Sequence, residues 1–330
     1  MIRMAILGTG FIANVFMSGA NKVPGLEVVA VLAVSERDGR EFCDRYGINR
    51  WYTDYDKLLS NDDIDLVYVA LPNHLHFSFA KRAILAGKSV VVEKPFVASA
   101  DEACDLMEKA RANNVMVFDA ITTKYSPLMD VMRENLGQLG AIKGATSTYC
   151  QYSHRYDAVR AGDIPGVFRL ENDGGALKDL GIYPITLMVS LFGRPTAAHY
   201  FANKLPNGCD TSGTLVLVYP TMVATIRIAK DSFTENRCTI EGEDGTFFVD
   251  SDCFRFPNVR FRKNAEDAGT VLSTVPSNDG IANEFRRFVS IMENHDYEES
   301  YRLASMAIDA VAVLSETARS ASIEYGSQED

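Results

Sequence analysis

The chain opens with a short apolar strand, Met4–Leu7, that passes without a spacer into Gly8-Thr9-Gly10-Phe11-Ile12-Ala13 and then into a helix reaching about Lys22. A strand handed to a helix through two glycines leaves few folds open. The first glycine permits a tight turn. The second lets a ligand come close to the backbone, and a small residue at position 13 lets helix and strand pack closely. The first amides of a helix have no intrahelical acceptor, so they bind a phosphate without a basic side chain. Gly8-x-Gly10-x-x-Ala13 in this setting predicts a pyrophosphate cradle.

The following hundred residues keep the alternation. LEVVAVLAV (26–34), DIDLVYVAL (63–71), SVVVEKP (89–95) and VMVFDA (115–120) read as strands, and 36–46, 74–86 and 99–113 as helices, the first two closed by Gly47 and Gly87. WYTDYDKLL carries a short strand and a turn. Connections too long for hairpins make these strands parallel. After about residue 121 the pattern changes. Strands at 141–153, 196–205, 211–229, 235–250 and 255–263 follow one another as an antiparallel meander, and two helices at about 281–294 and 300–320 close the chain. Gly245, in the tight turn EGEDG, is expected at positive φ. A length of 330 residues suits two domains. The expected architecture is α/β: a Rossmann domain with a doubly wound parallel sheet over 1–121, and an α+β domain over 122–330.

Charge and composition then exclude classes of partner. A net charge of -11 and a pI near 5.0 oppose a nucleic-acid surface, which needs a basic field. No run of about 18 apolar residues predicts a membrane span, and MIRMAILGTG has no signal-peptide layout. Six scattered cysteines without a CxxC argue against a metal site and for free thiols in a cytoplasmic protein.

Three further stretches carry chemistry. The second strand ends Ala33-Val34-Ser35-Glu36-Arg37. A carboxylate there favours NAD, whereas a hydroxyl with an arginine favours the 2′-phosphate of NADP; Ser35 serves equally as a helix N-cap with Asp38 completing a capping box. Without an aspartate at the strand end the reading leans to NADP, with NAD as the alternative. Leu71-Pro72-Asn73-His74-Leu75-His76 and Glu93-Lys94-Pro95 fall at the carboxyl ends of parallel strands, where open α/β sheets bind ligands. In DGGALKDLGIYPI (173–185), Asp179 and Tyr183 stand four apart, on one face of a helix that Pro184 is expected to kink or break.

Taken in order, GxGxxA, PNxxH, EKP and GGxLxDxGxY resemble the Gfo/Idh/MocA family of NAD(P)-dependent oxidoreductases, over essentially the whole chain. FDAITTKYSP (118–127) and the stretch from Arg155 to Ile185 resemble the subgroup of dihydrodiol, xylose and glucose–fructose oxidoreductases. The resemblance implies that the second domain carries a large open, mostly antiparallel sheet, through which family members assemble, here as a homodimer or homotetramer. It implies cofactor contacts from Gly8, Thr9, Gly10, Phe11, Ile12, Ser35, Arg37, Leu71, Pro72, Asn73, His76, Glu93 and Lys94. His76 alternatively satisfies a loop carbonyl. Lys94 would hydrogen-bond the substrate hydroxyl at the nicotinamide end, Tyr183 would exchange the proton, and Asp179 would orient or charge-balance the pair. A phenol, with an ordinary pKa of about 10, is a poor base at neutral pH, and a nearby ammonium favours its ionised form. The subgroup implies a substrate pocket containing Lys124, Arg155 and Phe168. The chain departs from the family at Tyr183, where histidine is commoner, at Lys124, where the subgroup has arginine, and at Asp119, where it has glutamate.

The expected activity is hydride transfer between nicotinamide and a hydroxyl-bearing carbon of a sugar, polyol or vicinal diol. The alternatives are an NAD-dependent glycosidase with transient redox and a non-catalytic nucleotide-responsive regulator. The partner is a small carbohydrate-like molecule, with neither nucleic acid nor membrane.

Overall fold

The computed structural model describes residues 1–20, 22–276 and 279–326. The chain divides into two compact units, Met1–Thr122 with Ile281–Ile308, and Thr123–Gly280 with Asp309–Asp330.

The first unit is built on six strands: β1 (Ile2–Leu7), β2 (Leu26–Leu32), β3 (Arg50–Tyr52), β4 (Leu66–Val69), β5 (Ser89–Glu93) and β6 (Val117–Ala120). Their order is β3-β2-β1-β4-β5-β6, and every neighbouring pair is parallel. The order reverses between β1 and β4, which makes a switch point at the carboxyl edge. Helices at Phe11–Ala20, Glu36–Tyr46, His76–Leu85 and Ala100–Ala112 separate the strands. All of β4 and Val90–Val92 of β5 are buried, which is why these strands are continuous apolar runs rather than alternating ones. Gly47 ends its helix in the left-handed region at φ 70°. The turn expected near 53–59 is a short helix, Tyr55–Leu59, capped by the Asp54 carboxylate.

The expected boundary assigned everything after residue 121 to the second domain, whereas Ile281–Ile308 belongs to the first unit. The helix Gly280–Glu293 explains the difference. Its Phe285 ring lies 4.4 Å from Phe16 and 5.2 Å from Tyr68, and its Phe288 ring lies 4.6 Å from Phe118. Ser300, at the start of the helix Tyr297–Ser320, receives the Val117 N–H and donates to the Val117 carbonyl at the edge strand β6. An amphipathic pattern announces a helix without saying which core receives its apolar face.

The second unit carries an eight-stranded sheet of β7 (Ile142–Cys150), β8 (Ala197–Lys204), β9 (Asp210–Val218), β10 (Val223–Ala229), β11 (Cys238–Gly242), β12 (Thr246–Val249), β13 (Asn258–Arg262) and β14 (Thr270–Thr274). The order is β14-β13-β12-β11-β7-β10-β9-β8. It is not the sequential meander expected. β7 pairs antiparallel with β11 but parallel with β10, because residues 151–196, which include the helices Tyr156–Arg160 and Ile182–Phe192, form a long crossover in place of a hairpin. Ala224, Ile226 and Ile228 are buried while Val223, Thr225 and Arg227 are exposed, so one face of β10 meets a core. Gly245 has no positive φ. It is glycine because a Cβ there would lie 2.4 Å from the Phe261 ring.

Pro184 does not end its helix. A π-helical turn, Leu177–Gly181, precedes it, and the helix runs on from Ile182 to Phe192. The wider turn re-registers the hydrogen-bond ladder just before a residue that has no N–H to donate. The stretch Leu170–Phe192 is long and apolar enough to cross a membrane by length and composition alone. It is 83% buried in the protein, as a core helix is.

Candidate active site

The glycine loop distinguishes its two glycines physically. Gly8 is at φ 100°, and a Cβ there would lie 2.9 Å from the Ala70 carbonyl oxygen at the end of β4, so the turn itself requires glycine. Around Gly10 a Cβ would meet no atom of the described residues within 4 Å. Among the described residues no packing contact asks for glycine there, and open space above a helix start would admit a pyrophosphate. Asn14 fixes the loop: its amide donates to the carbonyls of Thr9 (3.0 Å) and Gly10 (2.7 Å), and its carbonyl accepts from Arg45 and the Tyr46 hydroxyl. The residues therefore fit a dinucleotide. Gly10→Val should abolish the thermal stabilisation given by NAD or NADP while the protein stays folded; unchanged cofactor affinity in the folded variant would refute the cradle.

At the end of β2, Ser35 is an N-cap. It accepts from the Asp38 N–H at 3.1 Å and donates to the Asp38 carboxylate at 2.7 Å. Arg37 pairs with Glu41 at 3.2 Å on the surface. The capping reading of Ser35 is thus the one realised, and a 2′-phosphate would compete with Asp38 for that hydroxyl. Val34 and Phe11 stand almost fully exposed at this edge.

Beyond β4, Asn73–Leu75 forms one 3₁₀ turn before the helix His76–Leu85. His76 was counted among the cofactor contacts. It is fully buried, with its ring nitrogens 2.9 Å from the carbonyls of Pro95 and Leu71. It ties the loop after β4 to the loop after β5, the alternative role of satisfying loop carbonyls. Burial lowers its pKa below the ordinary imidazole value, against the carbonyl contacts that raise it. In the β5 loop, Glu93 receives the Tyr68 hydroxyl and the Lys94 N–H (3.1 Å). Burial raises the Glu93 carboxyl above its usual range, and the Tyr68 hydroxyl and the Lys94 ammonium oppose that rise. Lys94 is half-buried, and the Lys94–Pro95 peptide is cis.

The second unit holds the other candidates. The π turn is anchored at its start by Asp210, a buried carboxylate that accepts from the Leu177 N–H at 2.7 Å and the Tyr200 hydroxyl at 2.8 Å. From this turn Asp179 forms an ion pair with Lys230 at 2.7 Å. Tyr183 follows, its ring edge-on to Phe254 (5.2 Å) and Tyr149 (5.9 Å). Burial, reinforced by Tyr183, Asp252, Cys253 and Asp179, pushes the Tyr149 phenol far above its ordinary value. That disfavours the phenolate a base would need.

Asp179 and Lys230 line a pocket of about 210 Å³ with Gln151, Tyr152, Ser153, Arg155, Val167 and Leu180. Arg155, expected at the substrate, is on its wall. Phe168, expected there too, is fully buried beneath it, its ring 5.4 Å from the Lys230 ammonium and edge-on to Tyr156. Lys124 is buried in the short helix Thr122–Tyr125 with its ammonium 4.9 Å from the Tyr125 ring, and Asp119 is buried in β6. Lys230 was missed from sequence. It follows directly on β10, and the available signal was the one that marked Lys94: a lysine at the end of an apolar strand.

Known proteins bear on both units. A family model described as "Oxidoreductase family, NAD-binding Rossmann fold" matches residues 2–120, and one described as "GFO/IDH/MocA C-terminal domain" matches residues 135–248. The chain is 29% identical over 328 residues to a scyllo-inositol 2-dehydrogenase (NADP(+)) of Bacillus subtilis, covering 98% of each protein. It is 29% identical over 226 residues to the trans-1,2-dihydrobenzene-1,2-diol dehydrogenase of Mus musculus, covering 66% of this chain and 65% of that protein. A solved inositol dehydrogenase homologue from Azotobacter vinelandii, complexed with NADH and myo-inositol, shares the fold with a TM-score of 0.83 at 20% identity, over 97% of this chain and 95% of that one.

Proposed function

The chain belongs to the GFO/IDH/MocA oxidoreductase family, and from that premise we propose that it transfers a hydride between nicotinamide and a hydroxyl-bearing carbon of a cyclic polyol, sugar or vicinal diol. It is an NAD(P)-binding oxidoreductase that acts on hydroxyl groups. The bound nicotinamide supplies the hydride acceptor or donor. The chain's residues bind, orient and handle the proton. Lys94 donates a hydrogen bond to the reacting hydroxyl, Tyr183 exchanges its proton, and Asp179 orients or charge-balances that pair. The observation that carries the reading is the pocket of the second unit, whose wall holds a half-exposed carboxylate on a π turn paired with a buried lysine. Such a pocket suits a polyhydroxylated molecule, with polar groups for hydroxyls and Val167 and Leu180 for carbon faces.

The cofactor preference proposed is NADP, because β2 ends without a carboxylate directly at the strand end and Arg37 stands near it. Scyllo-inositol, myo-inositol, D-xylose and trans-diols, offered with NAD and NADP and followed at the nicotinamide absorbance band, test the reading. Turnover of at least one is expected. No turnover of any, or release of sugar from an aryl glycoside without net change in nicotinamide, would overturn it. The six free thiols, five of them buried, suit a reducing cytoplasm.

The protein is further proposed to be a homodimer or homotetramer. The exposed face of the eight-stranded sheet presents Val223, Thr225 and Arg227 of β10 and Phe201 of β8, the last 69% exposed. A mixed apolar and charged face of this kind suits a self-complementary two-fold contact. Light scattering at micromolar protein should give a multiple of the 36.4 kDa chain mass; a monomer mass would refute it.

A further inference from the structure

We propose that Lys230 is a substrate-binding residue, its ammonium and the Asp179 carboxylate together reading two adjacent hydroxyls and giving the pocket its preference for a vicinal diol. The inference rests on the polyol-dehydrogenase reading and adds to it a residue and a recognition rule.

The geometry of the pair is asymmetric. The Lys230 side chain is 8% exposed and that of Asp179 44% exposed, and both line the 210 Å³ pocket. Burying an ammonium is costly, and a well-packed apolar side chain at such a position is often no less stabilising. A lysine held there is better accounted for by what it binds than by what it stabilises. Its backbone is fixed on both sides: the Lys230 N–H donates to the Thr211 carbonyl at 2.8 Å, and its carbonyl accepts from the Ser153 N–H at 2.8 Å. Lys230 thus stands at the carboxyl end of the parallel pair β7 and β10, beside Gln151 and Ser153 of the same wall. The Phe168 face, 5.4 Å beneath the ammonium, favours the charge at this spot.

The recognition rule follows from donor and acceptor chemistry. The ion-pair bond uses one of the three N–H donors of the ammonium. The ammonium and carboxylate are 2.7 Å apart, and the two oxygens of a gauche vicinal diol are separated by about the length of a hydrogen bond. One hydroxyl donates to the carboxylate while its neighbour accepts from the ammonium, and both bonds are charge-assisted. A mono-alcohol satisfies only one of the two groups and leaves the other desolvated, the situation in which polar sites discriminate most.

The test compares trans-cyclohexane-1,2-diol with cyclohexanol, alongside scyllo-inositol and D-xylose, in wild type, Lys230→Met, Lys230→Gln and Lys230→Arg. Lys230→Met should raise KM for the vicinal diols by about 10- to 100-fold, the range of one hydrogen bond to a charged group, with a smaller change in kcat. The ratio of kcat/KM between diol and mono-alcohol should fall towards one in both Lys230→Met and Lys230→Gln, and Lys230→Arg should keep most of it. Should Lys230→Met fail to fold, Lys230→Gln carries the comparison. A folded Met or Gln variant with undiminished discrimination, or a loss confined to kcat, overturns the inference alone. Absence of wild-type turnover on every polyol overturns the dehydrogenase reading, and this inference with it.

Discussion

Tyr183→Phe is expected to lower turnover by about 10²–10⁴-fold, the usual worth of a positioned proton-transfer group, and to leave cofactor affinity unchanged. The substitution keeps the ring and its edge contacts with Phe254 and Tyr149, so the aromatic cluster is preserved. Only the hydroxyl goes. Were Tyr183 a packing residue, as its 8% exposure alone would allow, the variant would turn over normally. Tyr149 provides the internal control, because burial disfavours the ionised phenolate that would accept a proton. Tyr149→Phe should cost much less than Tyr183→Phe, and only Tyr183→Phe should alter the pH profile of kcat. Equal, small effects from the two variants would remove Tyr183 from proton transfer and leave the role to Lys94.

Lys94→Ala should cut turnover by about two orders of magnitude or more, with the fold retained, since the buried part of β5 ends before it. The same variant makes a pH-dependent stability prediction. The Lys94 ammonium helps to hold the Glu93 carboxyl down while burial pushes it up. That help exists only while Glu93 is ionised. Below the ordinary carboxylate range Glu93 is neutral, and losing the ammonium should cost little stability. As pH rises through the raised Glu93 value the carboxylate loses its compensating charge, so the melting difference between variant and wild type should widen from acid to neutral pH. Thermal melts across that range check it. Near-normal turnover by a folded variant would sink the catalytic role, and a pH-independent melting difference would sink the electrostatic one.

Much of the first unit was legible in the sequence because its signals are local. A strand, two glycines and a helix are contiguous, and so are the clean apolar runs of β4 and β5 and the Gly47 cap. Asp179 and Tyr183 were expected on one helical face, but a π turn carries Asp179 and the α-helix after it carries Tyr183, so α-helical spacing alone does not set how they face. The neighbouring Pro184 does not break the helix as one of its two expected outcomes had it, for a π turn precedes it and the helix runs on to Phe192.

Long-range packing decided the rest. Whether Ser35 caps a helix or faces a ligand was open in the sequence, and Asp38 decided it in the folded chain. His76 carries no mark of which carbonyls it will meet; the approach of the two strand-end loops sets that. Phe168 looked like a pocket residue and became the floor beneath Lys230. The helix Gly280–Glu293 displays an apolar face, but only the Phe16, Tyr68 and Phe118 cluster fixes the core that takes it. Lys230 joins Asp179 because the π turn packs against β10, a contact between elements distant in the chain. By itself the sequence determined the strand–glycine turn–helix opening and the buried apolar strands β4 and β5, since each rests on residues within a few positions of one another. Only the tertiary structure decided which polar groups those residues meet, because hydrogen-bond and ion-pair partners are set by strand order and core packing across the whole chain.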